Sequence, residues 1–173
     1  MTFQRIKLHL LRVYWKMKGV ILSNNAFIYR NNEILNPKNL SLGENSILYK
    51  ELTIYIGKQG SLTIGKNSHI APYAYLLIDN NAVNIGDNVA IGPFCAFFCH
   101  SNSVMGESKL FAENYIDLPI IIGNNVFIGS HTVILPGSII HDNVVIASNS
   151  VVKGVLEENS IYGGSPAKKI KSL

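Results

Sequence analysis

Between Ile122 and Val152 the chain repeats itself every six residues. Blocks begin at Ile122, Ile128, Ile134, Ile140 and Ile146, and the residue after the isoleucine is small or polar in four of the five. Six matches neither the period of a helix nor that of a flat strand. It suits a coil that turns a corner every six residues, with three blocks to a triangular turn. The isoleucines then point into the prism. The second residue of each block is expected at the corner, where glycine or asparagine tolerates a positive φ. Such a turn buries its apolar edge only against its neighbours, so the pattern implies a stack.

The repeat serves as a ruler for the rest of the chain. Its signature recurs as Leu42-Gly43-Glu44-Asn45, Ile64-Gly65-Lys66-Asn67, Ile85-Gly86-Asp87-Asn88, Ile122-Gly123-Asn124-Asn125 and Ile140-His141-Asp142-Asn143, at offsets of 22, 21, 37 and 18. Eighteen is one turn, and 22 and 21 are one turn with short corner insertions. The offset of 37 leaves 19 residues over (37 − 18). The blocks from Ile85 run cleanly to Asn102, so residues 103–121 must leave the coil as an excursion, and Gly106 to Lys109 and Pro119 suit a loop. A loop of that length in a compact domain is usually functional or disordered. The expected organisation is an N-terminal basic amphipathic helix over 1–19, a coil over 20–155, and a basic C-terminal tail over 156–173.

In the helix, Ile6, Leu10, Val13 and Met17 share one face, which Leu11, Tyr14 and Trp15 widen, and Gly19 suits the stop. Two placements are open to it. It can pack across the open end of the coil or onto a neighbouring subunit, or it can make a peripheral contact with a membrane surface. No apolar run approaches the ~18 residues of a membrane span. Apolar residues make up 47% of the chain and charged residues 15%, enough for a substantial core and too apolar for disorder. The net charge of +4 fits a soluble surface, an anionic ligand or an anionic membrane, and no nucleic-acid partner is expected. Cys95 and Cys99 form neither a metal-type nor a disulfide framework, which points to a reducing compartment.

The six-residue repeat, the loop, the histidine before it and the terminal Gly164-Ser165-Pro166-Ala167-Lys168 together resemble the hexapeptide-repeat acetyltransferases over about residues 40–170. From Pro119 to Ile170 the chain is most similar to the galactoside/maltose O-acetyltransferase branch. The basic helix leading into the coil resembles transferases that decorate capsule, O-antigen or other surface polysaccharides. The resemblance implies an all-β fold, a left-handed parallel β-helix with a short N-terminal helix and an extruded loop. That hand is opposite to the usual rule for parallel crossovers. It also implies acetyl-CoA as co-substrate, no metal, a sugar or glycan acceptor, a homotrimer, and a cytoplasmic location with peripheral contact at the inner membrane face.

Acetyl transfer to a sugar hydroxyl needs a base, an oxyanion donor and a grip on CoA. His100, at the root of the loop, is the candidate base. The family carries its base histidine there, although His100 falls two residues earlier in its block than in the galactoside enzymes. Cys99 adjoins it, but neighbours on an extended segment point to opposite sides, which favours a buried cysteine over a Cys/His nucleophilic pair. By resemblance, the amide of Ser130 is the oxyanion donor. Phe127, where the family commonly has tryptophan, would wall the pantetheine arm. Gly129, Ala147 and Ser148 would let that arm lie along the coil. Lys153 and Lys168 would meet the CoA phosphates as point charges, and Pro166 would pack near the adenine or fix the tail. His131 reads as structural. Asp79 is a candidate acceptor-binding acid and Asn102 a candidate polar contact to substrate. Ala74 stands where the galactoside branch has asparagine, so a simple galactoside acceptor is not expected.

Three other functions fit the same coil. N-acetylation of a nucleotide-linked amino sugar is one; such relatives often carry an extra N-terminal nucleotide-binding part, for which the 40 or so residues before the repeat leave no room. Zinc-dependent hydration of carbon dioxide needs three histidines meeting between subunits, and His100, His131 and His141 lack that family's paired spacing. A non-catalytic scaffold would leave His100, the loop and the C-terminal lysines without a role.

Overall fold

In a computed structural model, helix α1 (Phe3–Met17) leads into a solenoid of about six turns. The structure describes residues 3–173, and the helix side chains from Leu8 onward. Met1 and Thr2, part of the expected helix, and the side chain of Ile6 lie outside the described residues. The strands stack into three flat faces. The first runs from Ile21–Leu22 up to Val155–Leu156, the second from Phe27–Ile28 up to Ser160–Gly163, and the third from Glu33–Leu35 up to Val151–Val152. Within each face successive turns pair in parallel, and the whole is the left-handed parallel β-helix that the repeat's family resemblance implied.

The six-residue period explains the stacking. Ile122 pairs with Ile140, Ile128 with Ile146 and Ile134 with Val152, and all these side chains are buried. Each buried isoleucine contributes about 2 kcal/mol of apolar transfer. The corner differs from the expected one. The positive φ falls on the fourth residue of each block, at Asn125, His131, Gly137, Asn143 and Asn149, not on the second. The second residue is glycine at Gly123 and Gly129 because the turn above approaches closely. A Cβ on Gly129 would stand 2.5 Å from the Ser148 nitrogen, and one on Gly123 would collide with Asp142 Oδ1. The fourth-position asparagines hydrogen-bond from turn to turn along one edge, Asn25–Asn45–Asn67–Asn88 and Asn125–Asn143–Asn159, at 2.8–3.2 Å.

The excursion is an ordered hairpin. His100–Asn102 pairs antiparallel with Tyr115–Asp117, a 3-10 turn spans Phe111–Glu113, and the coil resumes at Ile120 opposite Val83. At the other end the coil continues past residue 155 for a further turn. Val155–Leu156 pairs with Ile139–Ile140, and Ser160–Gly163 pairs with Val144–Ile146. Leu156 and Tyr162 extend the core without the isoleucine that marks a block. Lys168–Ser172 then folds back antiparallel on Ser160–Gly163.

Helix α1 closes the opposite end. Trp15 is buried there, with Leu8 and Leu11 half-buried. The first turn has no turn below it to satisfy its carbonyls. Arg12 does so instead, donating from Nη1 to the carbonyl of Ala26 (2.6 Å) and from Nη2 to those of Ser23 (2.6 Å) and Leu22 (3.3 Å). Leu10, Val13 and Met17, three of the four residues that define the expected apolar stripe, point away from the solenoid.

Candidate active site

The third face ends at two corners, and nearly all the predicted site residues sit at one or the other. The first corner follows the strand Ala96–Phe98. Cys99 turns inward with Sγ 3.8 Å from the carbonyl of Ala82, and burial pushes its thiol up to about 12. It is therefore no nucleophile at neutral pH. His100 points the other way and opens the hairpin. The antiparallel register sets Asp117 opposite it. The His100 Nδ1–H donates to Asp117 Oδ1 at 2.7 Å, and Tyr115 stacks on the imidazole at 4.9 Å and 21°. With Nδ1 as donor, the neutral ring carries its lone pair on Nε2.

Asp79 lies one turn below in the same register, since Leu77 pairs with Phe98. Its carboxylate, that of Asp117 and a ring nitrogen of His100 come within 4.8 Å of one another. Such a group stabilises a positive charge, whether an imidazolium, an ammonium or a bound cation. Asn102 also lies on the hairpin, but its Nδ2 donates to the carbonyl of Phe111 (3.3 Å), so it secures the loop. Lys153 follows Val152, which is in register with Ile134 and hence Phe97. It therefore stands at the His100 end of the third face, not with the other residues expected to hold CoA.

The second corner, between the second and third faces, gathers those others. Phe127 is half-exposed beside it. Gly129 lies under Ser148, and Gly163 lies against Ala147, where an added Cβ would meet Ala147 Cβ at 3.1 Å. These small residues form a column along the edge. The Ala167 amide donates to the carbonyl of Val151 (2.8 Å), which holds Pro166 and Lys168 at the top of the column. Among the described residues the Ser130 amide has no acceptor. Pro72 and Pro93 occupy the equivalent position in the turns below, for their carbonyls accept from Phe94 (3.2 Å) and His131 (3.1 Å) as that of Ser130 accepts from Asn149 (2.9 Å). The coil therefore needs no N–H there, and Ser130 has one to spare. His131 is the end of a stack of three rings, Tyr73–Phe94–His131, with centroids 5.0 and 4.9 Å apart.

His100 and Ser130 are not brought together within one chain. The pairing of Ala96 with Val133 sets Ser130 level with Pro93, seven residues before His100 along the third face. That separation is on the order of 20 Å. Each chain thus carries two candidate half-sites on opposite edges. Asp117 and Tyr115 were not legible as site residues, because the repeat gives no register inside the excursion. The signal available was the need to close a 19-residue excursion at its base, which pairs its two ends.

Comparisons with known proteins bear on the family and the fold. Residues 119–154 match the bacterial transferase hexapeptide family (six repeats). The chain is 36% identical over 133 residues to galactoside O-acetyltransferase of Escherichia coli K12, covering 77% of this chain and 64% of that protein. It is 27% identical over 146 residues, 80% of this chain and 74% of the other, to E. coli WbbJ, whose name assigns it provisionally to lipopolysaccharide O-acetyl transfer. Among solved structures, AntD, an N-acyltransferase from Bacillus cereus in complex with dTDP-4-amino-4,6-dideoxyglucose and coenzyme A, superposes with a TM-score of 0.81 at 26% identity, over 93% of this chain and 88% of that one. The chain spans just under two thirds of the length of the first curated relatives it matches.

Proposed function

The chain belongs to the bacterial hexapeptide-repeat transferase family, and we propose that it moves an acetyl group from acetyl-CoA to a sugar hydroxyl in the synthesis of a surface polysaccharide. The observation that carries this is the His100 imidazole, exposed at a corner with Nδ1 held by Asp117. His100 Nε2 takes the proton of the acceptor hydroxyl as its oxygen attacks the thioester carbonyl. The Ser130 N–H donates to the oxyanion so formed. On collapse the C–S bond breaks, and Nε2–H returns its proton to the CoA thiolate. Asp117 fixes the ring and stabilises the imidazolium between the two transfers. The CoA arm lies along Gly129, Ala147 and Ser148 beside Phe127, with its phosphates toward Lys168. An acyl-CoA donor and the two free buried cysteines suit a cytoplasmic setting.

The two half-sites call for a second copy of the chain. The outer side of the third face, between the two corners, carries Tyr75, Leu77, Ala96, Phe98, Val133 and Val151. We place this apolar side against a neighbour in a closed trimer, so that the His100 corner of one subunit meets the Ser130 corner of the next. A head-to-tail contact of this kind closes into a ring. Lys153, stranded beside His100 in its own chain, then reaches the neighbour's CoA edge.

N-acylation of an amino sugar is the second reading, favoured by Asp79 and Asp117, whose carboxylates suit an ammonium. The AntD relative is an N-acyltransferase in complex with a nucleotide-linked amino sugar, and this chain covers 88% of it. A helix and coil of this extent are therefore compatible with N-acylation. Acetyl-CoA is to be offered with neutral glycans and with a dTDP-4-amino sugar, following release of the CoA thiol. O-acetylation gives a product that hydroxylamine cleaves, and N-acetylation gives a stable amide. Turnover of the amino sugar alone would transfer the assignment to the second reading.

Asp117→Asn keeps the size of the side chain and removes the charge. The expected result is a fall in kcat of about 10- to 100-fold with KM for acetyl-CoA unchanged, since Asp117 acts through His100. A change in KM alone would mean that Asp117 binds substrate instead.

A further inference from the structure

Helix α1 has two apolar sides, and the solenoid uses only one. Trp15 and Leu11 pack on the first turn, and Arg12 is tied to three of its carbonyls. These contacts fix the helix in rotation. The other side presents Leu10 (60% exposed), Val13 (41%), Tyr14 (49%) and Met17 (83%) as a continuous stripe. Four such exposed residues at helical spacing form a patch and not scattered singles. The charge around the stripe has one sign. His9, Lys16 and Lys18 are exposed beside it, and Lys18 Nζ lies 5.8 Å from the centre of the Tyr14 ring. The sequence has no aspartate or glutamate before Glu33, while Arg5, Lys7, Arg12, Lys16, Lys18 and Arg30 all precede it. No helix among the described residues is long and apolar enough to cross a membrane.

We infer that the outer stripe of α1 docks the enzyme on an anionic lipid surface. An apolar stripe edged by lysines is the arrangement that lies in the plane of a headgroup layer. There the aliphatic groups enter the acyl boundary and the ammonium groups meet lipid phosphates. A neutral or cationic surface would satisfy the stripe but not the lysines. A second copy of this chain would set lysine against lysine around the same stripe. The docked helix lies flat, so the solenoid axis and both half-sites take one fixed orientation to the membrane, which suits an acceptor held at its surface. This inference does not depend on which acceptor the site takes.

The test uses the full-length chain and sedimentation with lipid vesicles. One set is phosphatidylcholine alone, and the other contains about 30% phosphatidylglycerol, enough to set up the surface potential on which such binding depends. The wild type should partition onto the anionic vesicles and not onto the neutral ones. Binding should weaken by roughly 30-fold or more in Lys16→Glu/Lys18→Glu, and clearly also in Leu10→Glu/Met17→Glu. All four side chains are exposed, so the variants should keep the wild-type circular dichroism and melting temperature. High salt should weaken the wild-type binding. Equal partition of the wild type and the Leu10→Glu/Met17→Glu variant would overturn the inference. So would the absence of binding to anionic vesicles, and so would a larger oligomer in the wild type that the double glutamate variant dissolves, which would assign the stripe to a second copy of the chain.

Discussion

His100→Ala is expected to lower kcat on the order of 10³-fold while leaving CoA binding and assembly intact. General-base catalysis by a positioned imidazole contributes roughly 10²- to 10⁴-fold, and Asp117 and Tyr115 give this one fixed geometry. The substitution removes little else. The side chain sits outside the core, and its only polar partner among the described residues, Asp117, is half-exposed and can turn to water. The neighbouring Cys99 cannot substitute, since burial holds its thiol protonated. The column proposed to receive CoA lies at the other corner and is untouched. Steady-state release of the CoA thiol reads the loss, and calorimetry with CoA reads the binding. Undiminished kcat in a folded variant would remove His100 from the mechanism.

Ser130→Pro is expected to lower kcat by about 10²- to 10³-fold, the usual cost of losing one oxyanion donor. A side-chain change at this position would not test the amide, and most ways of removing an N–H break a fold. Here the fold supplies the control. Pro72 and Pro93 already stand at this corner in the two turns below, so proline suits the backbone. The Ser130 amide donates to nothing among the described residues, so no internal hydrogen bond is lost, and its carbonyl still accepts from Asn149. The melting temperature should hold while turnover falls. Ser130→Ala, which keeps the amide, should retain most of the activity. If proline and alanine behaved alike, the amide would have no part in the chemistry.

The coil was legible because its physics is local and periodic. One large apolar residue per six must fill the prism, and glycine must clear the turn above, so each turn announces itself. Where one residue type has two uses, the sequence misled. Glycine at the second position of a block suggested a left-handed corner, but it serves close approach, and the left-handed residue is two places on, at Asn125 and its equivalents. For helix α1 the sequence left two placements open, packing on the end of the coil among them. Periodicity shows that an apolar stripe exists, not which way it faces, and burial of Trp15 with the three Arg12 bonds outweighed the stripe. His100 could be singled out because the ruler stops two residues after it, at Asn102. Asp117 could not, because its contact with His100 is made by a hairpin outside the repeat. Lys153 was grouped with the CoA residues by resemblance, whereas the register sets it on the opposite edge.

On the proposed mechanism catalysis needs two corners, His100 from one chain and the Ser130 amide from the next. Co-expression of His100→Ala and Ser130→Pro chains in equal amounts, followed by purification of the mixed assemblies, tests it directly. Each interface pairs one corner from each of two chains. Random mixing therefore gives a Ser130→Pro chain, with its His100 intact, facing a His100→Ala chain, with its Ser130 intact, in about a quarter of the interfaces. Recovery of roughly a quarter of the wild-type activity is expected from two chains that are each nearly inactive alone. Mixed assemblies no more active than the parent variants would contradict the proposed mechanism, placing the base and the oxyanion donor within a single chain.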